Sequence, residues 1–244
     1  MTDTTQLRTV ITGLLGFAAT EEQMLLGAAH RSGEGDGTPE CWATAPLVAH
    51  NTESKLQQLQ RLQAVIQDET PPEFAEIDHL SGEVYGRFNA QPAAAVAAQS
   101  LRTTGELITA MRELPDDDLL DPVRHPWLNG RQLWLQVIVR GFWHPCGHVA
   151  EWYLSHGQAD RAVAMLAHGV LTAGYLRAPD PARGMAAYNL ACAQARAGST
   201  DDAVVSLIEA IRFNPDLKDK AGRDTDLAVL RSTGSLDAVL APSA

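Results

Sequence analysis

The stretch WHPCGH, Trp143 to His148, sets two histidines four residues apart with a proline and a cysteine between them. On an α-helix, positions i, i+4 and i+7 share a face, so His144, His148 and Glu151 point the same way. Two imidazoles at that spacing can hold one divalent metal, and the same spacing also serves two packed histidines. Glu151 on the same face can orient a ligand histidine, accept a proton or join the metal, and it can equally face solvent. Cys146 points roughly 200° away from His148 and is read as a small buried residue. Gly141 stands four residues before Pro145, where the proline ring crowds the preceding turn. A local kink is expected there, with the missing side chain at Gly141 leaving room above His144.

A metal needs a further donor from a facing helix. The candidate is His50, in CWATAPLVAHNTESKL (Cys41 to Leu56), which shares a side with Leu47. On an ideal helix His50 lies more than about 100° from the centre of the later leucine stripe, a phase that argues against its burial.

The elements that must carry these residues are helical. Apolar residues recur at three- and four-residue steps over long windows, and period-two alternation is almost absent. Gln6 to His30 reads as one helix, with Leu7, Ile11, Leu14, Leu15 and Phe17 apolar and Glu21 and Glu22 breaking the surface. A second runs from Pro46 to about Gln67 with the stripe Leu56, Leu59, Leu62 and Ile66. A third, from about Ala93 to Leu114, uses Val96, Leu107, Ile108 and Met111, and the acidic PDDDLLDP segment closes it as a solvated ending. A fourth runs from about Gly130 to Gly157. Four such helices suggest a four-helix bundle, and the long connection of residues 69–91 suits parallel second and third helices. Trp134, Trp143 and Trp152 are expected to pack the bundle. His30, His125, His156 and His168 read as surface or terminal histidines, and His79 has no partner at helical spacing.

Composition narrows the functional classes. Of the 244 residues, 45% are hydrophobic, which fits a folded chain. No apolar run approaches the roughly 20 residues that span a bilayer, and the N-terminus lacks a signal-peptide pattern, so a cytoplasmic protein without a membrane role is expected. Three widely spaced cysteines rule against a disulfide framework, and no CxxC pair exists. The formal net charge is −11; residues 1–156 carry 20 Asp/Glu against 10 Lys/Arg, and residues 157–244 carry 10 against 9. That balance, without a basic stripe, excludes nucleic acid as a partner. GEGDG (Gly33 to Gly37) follows a helix rather than a strand and is no phosphate loop, and no GxSxG elbow is present.

After Gly157 the texture changes. AAYNLACAQARAGSTDDAVVSLIEAIRFNP (Ala186 to Pro215) resembles a tetratricopeptide repeat, with Leu190, Ala191, Gly198, Ala203, Leu207 and Ala210 on the small and large positions of that pattern. Gln194 departs from it, where an aromatic is usual. Small residues let two antiparallel helices approach while leucines fill the groove. YLSHGQADRAVAML (Tyr153 to Leu166) is a partial copy. So few repeats are not expected to fold alone, and the region 157–244 is expected to pack on the bundle of residues 1–156.

W-x4-L-x2-H (Trp42, Leu47, His50) together with H-x3-H (His144, His148) near the end of a fourth helix resembles the DinB/YfiT superfamily. The resemblance covers about residues 5–156, including DHLSGEVYGRFN (Asp78 to Asn89); Pro145 inside H-x3-H departs from the pattern. It implies an all-α fold, a DinB-like four-helix bundle, with a divalent metal on His50, His144 and His148. Zinc is the default, with nickel or iron compatible with the donors. It further implies a metal-dependent transferase or hydrolase acting on a small electrophile, with a low-molecular-weight thiol as cosubstrate in the transferase case; in that reading Glu151, placed by helix spacing, is the candidate catalytic acid/base or a group that orients a ligand histidine. The acidic surface favours a neutral or weakly charged substrate. The alternative is a non-catalytic protein that sequesters a small molecule and binds a protein partner, or a second copy of itself, through the repeat region.

Overall fold

A computed structural model describes residues 3–32, 42–74 and 91–241 of the chain. GEGDG, Cys41, His79, DHLSGEVYGRFN and the side chain of His30 lie outside the described residues. Among those residues the structure is all-α, and it divides into two compact units, Met1–Trp152 and Tyr153–Ala244.

In the first unit, α1 (Thr4–Ser32), α2 (Thr44–Ile66) and α3 (Ala93–Glu113) are joined by a fourth, composite run. That run comprises α5 (Leu133–Ile138), a π-helical turn (Val139–Trp143) and α6 (His144–Ser155). A short α4 (Asp116–Leu120) and the 3-10 turn Pro126–Leu128 precede it. Side-chain contacts give the directions. Arg8 donates to the carbonyls of Met111 and Leu114, while Ser100 reaches Glu22 and Gln23 reaches Ala97, so α1 and α3 are antiparallel. Lys55 meets Ser100 and Thr104, and Leu59, Gln63 and Ile66 line one cleft with Arg102, Glu106 and Thr109. Thus α2 and α3 run parallel, which is the arrangement that requires a long connection between them.

Periodicity identifies much of the core. Leu7, Ile11, Leu14, Leu15, Leu59, Leu62, Val96, Leu107 and Met111 are all buried, although Ile66 is exposed. The expectation that Glu21 and Glu22 break the surface does not hold, since both are buried. The Glu22 carboxylate accepts from Lys55 Nζ at 2.7 Å and from Ser100 Oγ at 2.6 Å, and Lys55 Nζ also reaches Thr104 Oγ1 at 3.2 Å. A buried charge is tolerable when paired and hydrogen-bonded; Glu22 Oε2 meets that condition, while Oε1 is buried without a hydrogen bond among the described residues.

The acidic ending of α3 is likewise more structured than a solvated terminus. Asp116 accepts from Arg8 at 2.7 Å and from Thr4 at 2.8 Å, stapling the start of α1 to α4. Asp118 is buried, with Arg124 at 2.9 Å. His125 is buried rather than superficial, its Nε2 lying 3.1 Å from the Asp118 carbonyl oxygen.

The second unit contains α7 (Ala159–Tyr175), α8 (Asp180–Arg196) and α9 (Thr200–Phe213), packed in sequence. Gly198, at φ +84°, lets Ser199 N–H return to the Gln194 carbonyl at 2.9 Å, which turns the chain between α8 and α9. A Cβ at Gly184 would lie 2.6 Å from Asn214 Cβ and 2.9 Å from the Ala210 oxygen, so the absence of a side chain sets this helix approach. Ala191, Ala203, Leu207 and Ala210 fill the contact. Short helices α10 (Leu217–Ala221), α11 (Ala228–Ser232) and α12 (Ser235–Leu240) follow, contributing buried Leu217, Leu230 and Leu236.

Candidate metal centre

The three histidines converge. His50 projects from the second turn of α2, is 3% exposed, and meets the two histidines of α6. Ring centroids lie 4.3 Å apart for His144 and His148, 4.8 Å for His50 and His148, and 5.3 Å for His50 and His144. One ring nitrogen from each comes within 4.8 Å of the others. A set of three imidazoles is chemically suited to zinc, nickel or iron. The donor set therefore fits a divalent ion.

Each histidine has a local reason for its position. Pro145 lacks an N–H and would clash with the carbonyl of residue 141 in a regular helix. The chain responds with a π turn, in which His144 N–H donates to the Val139 carbonyl, one residue further back than in an α-helix. The expected kink is thus a local widening with the helix continuing. Gly141 does not leave room above His144; that space belongs to Leu15 of α1. A Cβ on Gly141 would lie 2.7 Å from Leu15 Cγ. Gly141 therefore sets how closely α1 and the π turn approach.

On α2, the phase argument against His50 fails because leucines do not define the whole buried face. Asn51, Thr52, Ser54, Lys55, Gln57 and Gln58 are buried as well, so burial extends round most of the helix. The Trp42 ring stands edge-on to His50 at 5.5 Å and 85°. Its carbonyl accepts the Trp152 indole N–H at 2.9 Å, which ties the approach to α2 to the last turns of α6. Trp42 thus packs against the His50 ring and is itself hydrogen-bonded to Trp152 of α6. Trp134 and Trp152 are buried as expected, and Trp143 is half-buried.

Glu151 is exposed on α6 and is not among the residues whose donor atoms cluster. Cys146 is buried on another side of the helix. Burial, and then the carboxylates of Glu22 and Glu21, push its thiol well above the usual range, leaving it protonated.

A second group of donor atoms, Cys192, Asp224 and Asp226, lies in the other unit. Its carboxylates are already engaged: Tyr188 and Lys220 donate to Asp224 at 2.7 and 2.9 Å, and Arg196 lies 3.6 Å from Asp226. Burial, then those two carboxylates, raises the Cys192 thiol well above its ordinary value. The cluster is an internally satisfied polar network.

Comparison of the chain with family models, with curated proteins and with solved structures finds no match in any of the three. Among the described residues, no helix is long and apolar enough to cross a membrane.

Proposed function

We propose that the first unit is a DinB-like bundle and that the protein is a metal-dependent enzyme, acting on a small electrophile by thiol S-transfer or hydrolysis. The convergence of His50, His144 and His148 from two helices, with donor atoms within 4.8 Å, is the observation that carries this reading. A divalent metal held there would supply Lewis acidity, which brings the pKa of a thiol or water towards neutrality. His50, edge-on to the Trp42 ring, contributes the buried donor, and His144 and His148 are half-buried on α6. Glu151, exposed three residues beyond His148, would exchange protons with solvent. The small-residue hairpin of α8 and α9 is read as a tetratricopeptide-like element, offering a helical surface to a protein partner or a second copy of the chain.

The test is a panel of small electrophiles offered to the zinc-loaded protein with and without low-molecular-weight thiols. Turnover is expected to disappear on chelation, return with zinc, and be absent from the triple variant His50→Ala, His144→Ala, His148→Ala. Turnover that persists in the triple variant would refute the metal mechanism. Binding across the panel without turnover would replace catalysis by sequestration.

A further inference from the structure

The solvent face of α9 is apolar where a polar one is expected. Ala203, Leu207 and Ala210 form the buried side of this helix. On the opposite side Asp201, Val205, Ile208 and Arg212 follow one another at steps of four, three and four residues. On a helix those steps keep the four side chains on one stripe about 60° wide. All four are exposed, Val205 by 66% and Ile208 by 52%. A helix facing water carries polar residues there, whereas the centre of this stripe is branched aliphatic. Half-buried Val204 and Ile211 border it on one flank and widen the apolar strip.

Alternating steps of three and four are those of the seam along which two helices pack side by side. The order of the side chains decides what fits on this seam. An acid stands at its N-terminal end, a base at its C-terminal end, and the aliphatic pair between them. At about 1.5 Å per residue, Asp201 and Arg212 lie roughly 16 Å apart along the axis, with Val205 and Ile208 on either side of the midpoint.

A second α9 laid antiparallel about that midpoint sets Val205 against the partner's Ile208 and Asp201 against the partner's Arg212. Each contact then occurs twice, as a two-fold axis requires. A parallel second helix would oppose aspartate to aspartate and arginine to arginine, which the charges disfavour. The Arg212 side chain is 69% exposed, with Glu209 at 3.8 Å and the Phe213 ring centre at 4.5 Å beside it, so its guanidinium lies on the outer side of the helix.

We propose that two copies of this chain associate through an antiparallel, two-fold symmetric pairing of α9, built on Asp201, Val205, Ile208 and Arg212. This rests on the reading of the α8–α9 hairpin as an interaction surface, and it commits that surface to one helix face and one occupant. It does not depend on the histidines. Four residues from each copy make a contact well below the standard protein interface of about 1,600 Å², so the dimer is reversible and forms as concentration rises. The end charges fix register and direction, and the aliphatic centre supplies the burial.

Sedimentation velocity of the full-length chain over a concentration series tests the pairing. Wild type is expected to move from monomer to dimer. Asp201→Arg alone opposes two arginines at each end of the contact, and Arg212→Asp alone opposes two aspartates. Each should weaken association by about tenfold or more. An equimolar mixture of these two variants restores opposite charges at both ends and should form a heterodimer with an affinity close to that of wild type. A variant that merely fails to fold cannot give that recovery. Ile208→Lys should stay monomeric, while Leu171→Lys, at an exposed position of α7, should dimerise as wild type does. Chelator-treated protein should also dimerise, so the result stands apart from the metal reading. Wild type that remains monomeric at its highest soluble concentration overturns a second copy as the occupant. A dimer that survives Ile208→Lys, or a mixture of the charge variants that stays monomeric, overturns the α9 pairing even where the chain self-associates.

Discussion

Replacing Lys55 by methionine tests the interior of the bundle at its most charged point. The ammonium and the Glu22 carboxylate have side-chain exposures of 1% and 0% and stand 2.7 Å apart. Methionine keeps most of the volume and removes the charge. Among the described residues, Glu22 then retains only the Ser100 hydroxyl, at 2.6 Å, as a donor. Breaking one side of a buried ion pair costs about 3–5 kcal/mol. For a structure of this size, about 2–4 °C of melting temperature accompanies each kcal/mol, so the midpoint should fall by roughly 6–20 °C. Replacing both partners, Glu22→Leu with Lys55→Met, removes the uncompensated charge and should recover most of that loss. Thermal and guanidinium unfolding of the four proteins, followed by circular dichroism, gives the coupling between the two sites directly. A loss below about 1 kcal/mol in Lys55→Met, the scale of a solvent-exposed pair, would refute the buried network.

Gly141→Ala should cost about 1–3 kcal/mol through overpacking against Leu15, and Leu15→Ala in the same chain should remove the clash at the expense of its own cavity; chemical denaturation separates the two. Hydrogen bonds from Arg8 and Thr4 hold the Asp116 carboxyl below its ordinary range. Because the folded pKa is the lower one, this contribution is present above the unfolded value of about 3.9 and is lost as pH falls through the folded value. Asp116→Asn should therefore differ from wild type in urea midpoint at neutral pH, and the two should converge on acidification. In a Cys41→Ser background, iodoacetamide at mildly alkaline pH should leave Cys146 and Cys192 unmodified until the protein unfolds, since burial raises both thiols. Rapid native-state labelling, read by mass spectrometry, would contradict their burial.

The helices were legible because the apolar steps of α1 and α3 coincide with their buried faces: Ile11, Leu14, Val96, Leu107 and Met111 all lie in the core. The pairing of His144 with His148 was legible from spacing alone. His50 was not, because α2 buries Asn51, Ser54, Lys55 and Gln58 alongside its leucines, and an apolar stripe cannot report a polar interior. The motif resemblance supplied the residue that periodicity argued against. Glu22 looked like a surface carboxylate because its partners lie 33 and 78 residues away. The π turn was legible from Pro145 only as a disturbance, and the close approach of Leu15 to Gly141 was not legible because the two lie 126 residues apart. Helices α10 to α12 are five or six residues long, too short to establish a period.

The central claim is that His50, His144 and His148 act together as one ligand set. Metal content of the untagged protein, measured by inductively coupled plasma mass spectrometry after zinc loading and gel filtration, tests it most directly. The geometry predicts about one ion per chain in wild type and loss of that ion in each of His50→Ala, His144→Ala and His148→Ala, with the fold retained by circular dichroism. Wild-type protein that retains no ion, or a His148→Ala variant with unchanged stoichiometry, would contradict the account.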